Sequence, residues 1–130
     1  MQRAVTGAPS AALLRQYAHA ANPGKALTLR IVGALEAGKL NKRYRAKNYA
    51  TNVLSFAYGS GSGDVVLCHP VIAREARAQR KTLRAHYAHL VVHGVLHLRG
   101  HDHLRKREAA RMERAEIRIL RRLGFGDPYA

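Results

Sequence analysis

The sequence has one cysteine, no tryptophan and only two phenylalanines among its 130 residues. A single thiol, Cys68, excludes a disulfide within the chain and is typical of a reducing compartment. No apolar run approaches the roughly 20 residues that span a bilayer, and Arg15 interrupts an N-terminal stretch that lacks the apolar block of a secretory signal. These absences predict a soluble, cytoplasmic protein without a membrane partner.

Acidic residues are also scarce, since 23 lysines and arginines stand against eight aspartates and glutamates, for a formal net charge of +15. Such an imbalance attracts polyanions and speeds their encounter, so nucleic acid is the first partner to consider. A solvated, arginine-rich surface without a partner is the equal alternative on charge alone. The length predicts a single domain over residues 1–130, with a modest core of Leu, Val, Ile and Tyr.

Apolar periodicity and turn residues predict an α/β (α+β) fold, with one mixed sheet of about four strands packed against four to five helices. A short Gly/Ser link joins the expected strands at 51–58 and 64–69 and predicts that they form an antiparallel hairpin. A long helix over 71–98 should end at Gly100. The remaining expected elements are a helix at 8–21, strands at 26–32, 51–58 and 64–69, a partly helical basic segment at 39–47 and a last helix at 105–123.

The segment 86–103, HYAHLVVHGVLHLRGHDH, carries the chemistry. His93 and His97 are four residues apart, so one helix face presents both imidazoles to the same metal. A turn at Gly100 can bring His103 back as a third ligand. Three imidazoles with an open fourth position are the donor set of a catalytic zinc, although nickel and copper also accept them. We therefore predict one zinc ion per chain on the long helix and the turn that follows it.

Neighbouring residues leave alternatives open. His89 is one turn from His93, and His101 lies beside His103, so the count of histidines is ambiguous; we interpret His86 and His89 as packing residues. Asp102 either orients a ligand or caps the next helix. Gly94 stands where the zinc peptidase pattern HExxH has its glutamate base, which disfavours a peptidase.

Four blocks of this sequence resemble the YbeY family of bacterial endoribonucleases, also described as ribosomal RNA maturation factors. They are NKRYRAKNYATNVLSF (41–56), GDVVLCHPV (63–71), HYAHLVVHG (86–94) and HGVLHLRGHDH (93–103), and the resemblance extends over roughly residues 26–129. It implies a mixed sheet with flanking helices, a tri-histidine zinc site and single-strand-specific cleavage in small-subunit ribosomal RNA 3′ end processing and ribosome quality control. RNA and the ribosome or its small-subunit proteins are the implied partners.

Residue by residue, the resemblance places the zinc ligands at His93, His97 and His103, and catalytic roles at His97 and Arg45. The planar fork of an arginine such as Arg45 suits a scissile phosphate. This chain departs from the family pattern at Asn52, where many members have aspartate, and at His101, a position often aromatic. Its N-terminal strand, near residues 2–6, is also short.

Two rival functions remain at this point. A non-catalytic RNA-binding ribosome-assembly module would hold a structural zinc, with Cys68, His69 or His101 as fourth ligand. A zinc peptidase would need a base such as Glu75 or Glu108. For the ribonuclease, we expect the RNA backbone to contact the basic residues of 39–47 together with Arg74, Arg77, Lys81 and Arg84.

Overall fold

The computed structural model describes residues 2–3, 7–23, 27–45, 51–59, 62–99 and 106–130, with the backbone alone described at 2–3, 41–45 and 106. Within these ranges the predicted α+β fold, a single domain with a mixed sheet and five helices, is confirmed. The elements are β1 (Gln2–Arg3), α1 (Ala11–Ala21), β2 (Leu27–Val32), α2 (Ala34–Arg45), β3 (Val53–Gly59), β4 (Ser62–Cys68), α3 (His69–Ala78), α4 (Leu83–Leu98) and α5 (Lys106–Arg122).

The sheet has the strand order β1-β2-β4-β3. β4 pairs in parallel with β2 and antiparallel with β3, so the predicted hairpin is confirmed. The fourth strand is only the two-residue β1, which pairs in parallel with β2 at the sheet edge. The polypeptide therefore reaches β4 through a crossover that contains α2 and β3, and β4 lies in the middle of the sheet.

Helices cover both faces of the sheet because the side chains of β4 alternate. Val65 and Leu67 enter the larger core cluster, with α1, α4 and α5, whereas Val66 and Cys68 enter a smaller cluster with Ala37 of α2. This period of two is the geometry of a strand that is buried on both faces. None of the helices in the described residues is long and apolar enough to cross a membrane.

The prediction of one helix over 71–98 is wrong, because the chain turns between α3 and α4. Arg80 adopts a left-handed conformation with φ of 55°, and the amide of Lys81 donates to the carbonyl of Ala76 at 2.9 Å. This bond belongs to the Schellman motif that ends helices, usually with glycine at the left-handed position. Thr82 then caps α4, accepting a bond from a first-turn amide at 3.0 Å. Apolar periodicity alone does not reveal such a stop.

The helix α4 is buried on nearly every side, since it packs on the sheet and against α1, α3 and α5. Between residues 86 and 98 every side chain is buried except those of His89, His93 and His97. These three lie four residues apart and so form one stripe on the helix. These three histidines therefore form the partly exposed face of this central helix.

Candidate metal centre

The rings of His93 and His97 lie side by side on α4, with their centroids 6.1 Å apart. Two imidazoles on one tetrahedral zinc have ring centroids roughly 5 Å apart, so modest side-chain rotation brings both to one ion. The prediction that the two residues share a helix face is thus confirmed. His103, the predicted third ligand, lies outside the described residues together with His101 and Asp102.

A buried carboxylate on α5 holds one of these rings. Glu116 has no solvent-exposed surface, and its Oε1 lies 2.8 Å from His93 Nδ1. Because an ionised carboxylate only accepts hydrogen bonds, Nδ1 carries the proton, and the lone pair of the neutral ring is on Nε2. A carboxylate that fixes the tautomer of a histidine in this way is the usual outer partner of a metal ligand. His93 therefore fits a role as an Nε2 ligand.

Tyr129, in the segment that follows α5, completes the surroundings of Glu116. Its hydroxyl lies 2.5 Å from Glu116 Oε2 and 3.2 Å from His89 Nε2. The hydroxyl has one proton, which it donates to the carboxylate, and it accepts a bond from the Nε2–H of His89. An ammonium-to-carbonyl bond of 2.8 Å from Lys81 to Pro128 anchors the same segment to the start of α4. Two histidines and a tyrosine thus converge on one carboxylate.

The ionisation of this cluster follows from burial and hydrogen bonding. Burial by itself raises the pKa of Glu116, but hydrogen bonds from His89, His93 and Tyr129 outweigh it and lower that pKa to about 2. Burial, and then the neighbouring Glu116 carboxylate, raise the pKa of Tyr129 well above its usual value. At neutral pH the cluster therefore contains a carboxylate anion and an un-ionised phenol.

His89, His93 and Glu116 form a group of three side chains able to ligate a metal, with one donor atom of each within 4.8 Å of the others. The 2.8 Å separation of His93 Nδ1 and Glu116 Oε1 is nevertheless that of a hydrogen bond. A metal between the two atoms would make bonds of about 2 Å to each and hold them roughly 3.3 Å apart. In this geometry Glu116 orients His93, and a metal held by His93 would bind at Nε2.

The packing at Gly94 explains why α4 has no glutamate directly after His93. A β-carbon at Gly94 would lie 3.0 Å from Val65 Cγ1 and 3.1 Å from Ser55 Oγ, so the helix backbone touches the sheet here. The Ser55 hydroxyl also donates to the Gly94 carbonyl at 3.1 Å. Even a methyl group would crowd this contact, and a carboxylate base has no room there.

Asn52 and Glu75 form a separate network. The Asn52 amide donates to Glu75 Oε1 at 3.1 Å, and Nε2 of the buried His86 lies 2.9 Å from the same oxygen. An aspartate at position 52 would instead face a second carboxylate, so asparagine suits the neighbour that this chain provides. His86 is a packing residue with a partner, as predicted. Because Glu75 accepts hydrogen bonds from Asn52 and His86, it is poorly placed as a peptidase base.

Two of the proposed fourth ligands lie away from the histidine stripe. Cys68 belongs to the core cluster on the α2 side of the sheet, opposite α4, and burial raises the pKa of its thiol. His69 lies 2.7 Å from the hydroxyl of the buried Tyr87, through its Nδ1. Arg45 is the last residue of α2, and its side chain lies outside the described part of the chain.

The sequence interpretation missed Glu116 and Tyr129. A signal for Glu116 exists, since it is an acid within the apolar stripe of α5 formed by Met112, Ile119 and Leu120. Buried acids are rare and almost always paired, so this position indicates a buried partner. Tyr129 gives no comparable signal, because its role depends on how the chain folds back after α5.

The sequence matches known proteins over most of its length. The family model described as Endoribonuclease YbeY matches residues 7–124. The Endoribonuclease YbeY of Aromatoleum aromaticum is 53% identical over 126 residues, covering 94% of this chain and 82% of that protein. The protein of the same name from Bordetella pertussis is 53% identical over 116 residues, covering 85% of this chain and 74% of that protein.

The match to a solution structure of a protein from Thermotoga maritima covers 98% of this chain and 98% of that chain. Its TM-score is 0.58 and the sequence identity is 22%, so this match supports the fold alone. The match to the family model and the identity to its curated members place the sequence more narrowly. This chain belongs to the YbeY family of endoribonucleases.

Proposed function

We propose that the chain, as a single metal-dependent domain over residues 1–130, cleaves single-stranded ribosomal RNA with one zinc ion held by His93, His97 and His103. Membership of an endoribonuclease family supports the reaction class. The observation that carries the metal assignment is the 2.8 Å bond from His93 Nδ1 to the buried Glu116, which directs Nε2 to a ligand.

The bound zinc would supply a Lewis acid that activates water or polarises a phosphoryl oxygen. Glu116 keeps His93 in one tautomer and orientation, so no reorganisation of this ligand is needed during the reaction. His97 presents the second imidazole one turn along the same helix. Arg45 would hold two oxygens of the scissile phosphate and stabilise the charge that develops on them.

The substrate assignment is small-subunit ribosomal RNA at its 3′ end, with the ribosome or its small-subunit proteins as partners. A formal charge of +15 suits a polyanionic substrate. Exposed Arg74, Arg77 and Arg84 on α3 and α4 and exposed Lys39 on α2 are candidate backbone contacts. Each phosphate contact to a single strand should add about 0.7 to the slope of log affinity against log salt. The cytoplasmic location stays a prediction.

The first experiment compares cleavage of a single-stranded ribosomal RNA fragment by the parent protein and by His97→Ala. His19→Ala is the matched control, because His19 is an exposed histidine on α1. We expect His97→Ala to lose cleavage and metal together, while His19→Ala keeps both. Equal cleavage by all three preparations would indicate a contaminating nuclease and overturn the proposal. RNA binding without cleavage by any of them would favour the assembly module.

A further variant separates the two possible metal positions. If zinc binds to His93, His97 and His103, His89→Ala keeps most of the metal, because His89 contacts the Glu116 cluster and not the ion. If zinc instead enters the group of His89, His93 and Glu116, His89→Ala loses metal and His97→Ala keeps it. Metal content after dialysis, measured by emission spectrometry, distinguishes the two.

The role of Arg45 is tested by Arg45→Ala. Removal of a donor that stabilises transition-state charge costs about a hundredfold or more in rate. Zinc content should remain that of the parent, since Arg45 is not a ligand. Full cleavage activity in this variant would refute the assignment.

The attacking nucleophile is open between water and the ribose 2′-hydroxyl. Mass analysis of the newly formed termini decides between them, because a 2′,3′-cyclic phosphate forms only when the ribose attacks. Substrates with 2′-deoxy substitution at the cut site provide the control, since they block the ribose route and leave attack by water possible.

A further inference from the structure

The outer surface of α5 carries a row of arginines that the proposed mechanism does not use. At 3.6 residues per turn they fall within about 100° of the helix circumference. The opposite side of α5, with Met112, Ile119 and Leu120, is buried. We call this row the α5 arginine face, and its six exposed members are Arg107, Arg111, Arg114, Arg118, Arg121 and Arg122.

Stability does not account for this surface. Among the described residues, none of the ion pairs involves an arginine of α5. Arg107 and Arg111, Arg114 and Arg118, and Arg118 and Arg122 are instead like-charged neighbours at a spacing of four residues. Each such pair is destabilising by roughly 0.2–0.5 kcal/mol, so the three together cost about 1 kcal/mol. The arrangement suits an external anion that neutralises several positions at once.

A membrane surface is a poor match for this helix. An amphipathic helix binds a bilayer by inserting its apolar face, but the apolar face of α5 is buried against α4 in the core. What α5 offers outside is guanidinium groups around a depression of about 550 Å³ lined by Arg114, Ile117, Arg118, Arg121 and Arg122. Planar guanidinium forks bind phosphate oxygens in pairs, and such phosphate contacts carry no base specificity. RNA backbone is the matching partner.

We propose that the α5 arginine face is a second RNA-binding surface, which holds the sugar–phosphate backbone of the substrate outside the segment that is cut. This inference rests on the proposal that the substrate is RNA. The face extends about 22 Å along the helix from Arg107 to Arg122. Glu116, which contacts His93, is on the other side of α5, so the metal site and the face are separated by roughly one helix diameter, about 10 Å.

This separation gives the inference a measurable consequence. An RNA of about five nucleotides, near the lower limit of one binding site, extends about two nucleotides to either side when it is centred on the metal site. At roughly 3.4 Å per nucleotide this is about 7 Å, which is less than the distance to the face. A longer RNA occupies both and gains affinity from both. Removing arginines from the face should therefore weaken the binding of long RNA only.

The test uses the double variant Arg114→Gln/Arg118→Gln, since glutamine removes the charge, stays polar and has a helix propensity similar to that of arginine. The matched control is Arg15→Gln/Arg80→Gln, which removes two charges from exposed positions elsewhere. All proteins carry Arg45→Ala for the binding measurements, because this variant is expected to keep the zinc and to slow cleavage about a hundredfold or more. Fluorescence anisotropy then gives Kd for RNAs of about five and about thirty nucleotides over a salt series.

For the long RNA we expect the α5 double variant to lower the log–log salt slope by about 1.4, from two phosphate contacts at about 0.7 each. The control should change this slope by much less, and the short RNA should bind all proteins alike. An unchanged slope would refute the proposal, as would an equal loss in the control. Equal weakening of the short RNA would show that α5 belongs to the cleavage site itself.

Two further outcomes separate this inference from the proposed function. If the parent protein does not cleave RNA but the α5 variant still shows the reduced slope, the second surface stands and the ribonuclease assignment falls. If the arginines affect binding to vesicles of anionic lipid and leave RNA binding unchanged, the face binds membranes and this inference is wrong.

Discussion

The substitution Glu116→Gln isolates the charge of the buried carboxylate from its size. Glutamine keeps the shape of the side chain and one oxygen that can accept the His93 Nδ1–H bond. It loses the negative charge that makes the His93 ring a better electron donor. The substitution therefore weakens the support of His93, the proposed metal ligand, without opening a cavity in the core.

The magnitude follows from the role of Glu116 as the outer partner of His93. Loss of such a partner typically reduces metal affinity by about 10- to 100-fold, or roughly 1.4–2.7 kcal/mol. Because Glu116→Gln retains an acceptor at 2.8 Å, we expect about a tenfold weaker zinc affinity, at the lower end. Glu116→Ala removes the acceptor and should approach a hundredfold. Tyr129→Phe keeps the bond between Glu116 and His93 and should have the smallest effect on zinc affinity.

Zinc affinity is measured by titrating metal-free protein against a chromophoric chelator. Cobalt(II) substitution provides a second readout, since its visible spectrum reports ligand geometry independently of catalysis. If Glu116→Gln and Glu116→Ala bind zinc as tightly as the parent, with the parent cobalt spectrum, Glu116 does not orient a ligand.

Stability of the metal-free protein is the control for misfolding, and it has its own sign. The folded pKa of Glu116 is about 2, against an ordinary value of 4.5. Ionised Glu116 therefore contributes about 3 kcal/mol to the free energy of unfolding. This contribution is fully present above pH 4.5 and is lost as the pH falls toward 2. Glu116→Gln should lack this part of the acid sensitivity. Identical acid unfolding of both proteins would contradict the ionisation described above.

Three further predictions concern the surrounding fold. Gly94→Ala places a methyl group 3.0 Å from Val65 and 3.1 Å from Ser55, and should lower the free energy of unfolding in urea by about 1–3 kcal/mol; an unchanged midpoint would contradict the close contact. Burial lowers the pKa of His86 from 6.5, so the unfolded chain takes up the proton first and stability falls as the pH drops below 6.5. His86→Gln should flatten that dependence, and an equally steep urea-midpoint curve would refute it. The Tyr17 hydroxyl is buried without a hydrogen-bond partner among the described residues, so Tyr17→Phe should be neutral or up to about 1 kcal/mol more stable in thermal unfolding; a clear loss would refute this.

The sequence was sufficient where structure depends on local pattern. The short Gly/Ser link predicts the antiparallel pairing of β3 and β4, and the four-residue spacing of His93 and His97 places them on one helix face. The break between α3 and α4 escaped because arginine occupies a left-handed position that glycine usually marks. Thr82 was an available signal for that break, since threonine is a favoured helix N-cap.

The contact between Glu116 and His93 could not be predicted in the same way. Glu116 and His93 are 23 residues apart on different helices, and their contact depends on the angle and depth at which α5 packs on α4. Tyr129 reaches the carboxylate only because the chain folds back after α5. The helical period of the sequence already separates most of the arginines of α5 from its apolar face, and the structure shows that six of them are exposed.

The close contact at Gly94 limits which catalytic residues α4 can carry beside its histidines. The helix backbone rests on Val65 and Ser55 without an intervening side chain, so the helix can neither rotate nor rise without losing its packing. Engineering a peptidase from this chain by adding a glutamate to the motif would therefore require a different sheet underneath. Two proteins can share a pair of histidines at the same spacing and differ in chemistry because of how closely the helix lies on its sheet.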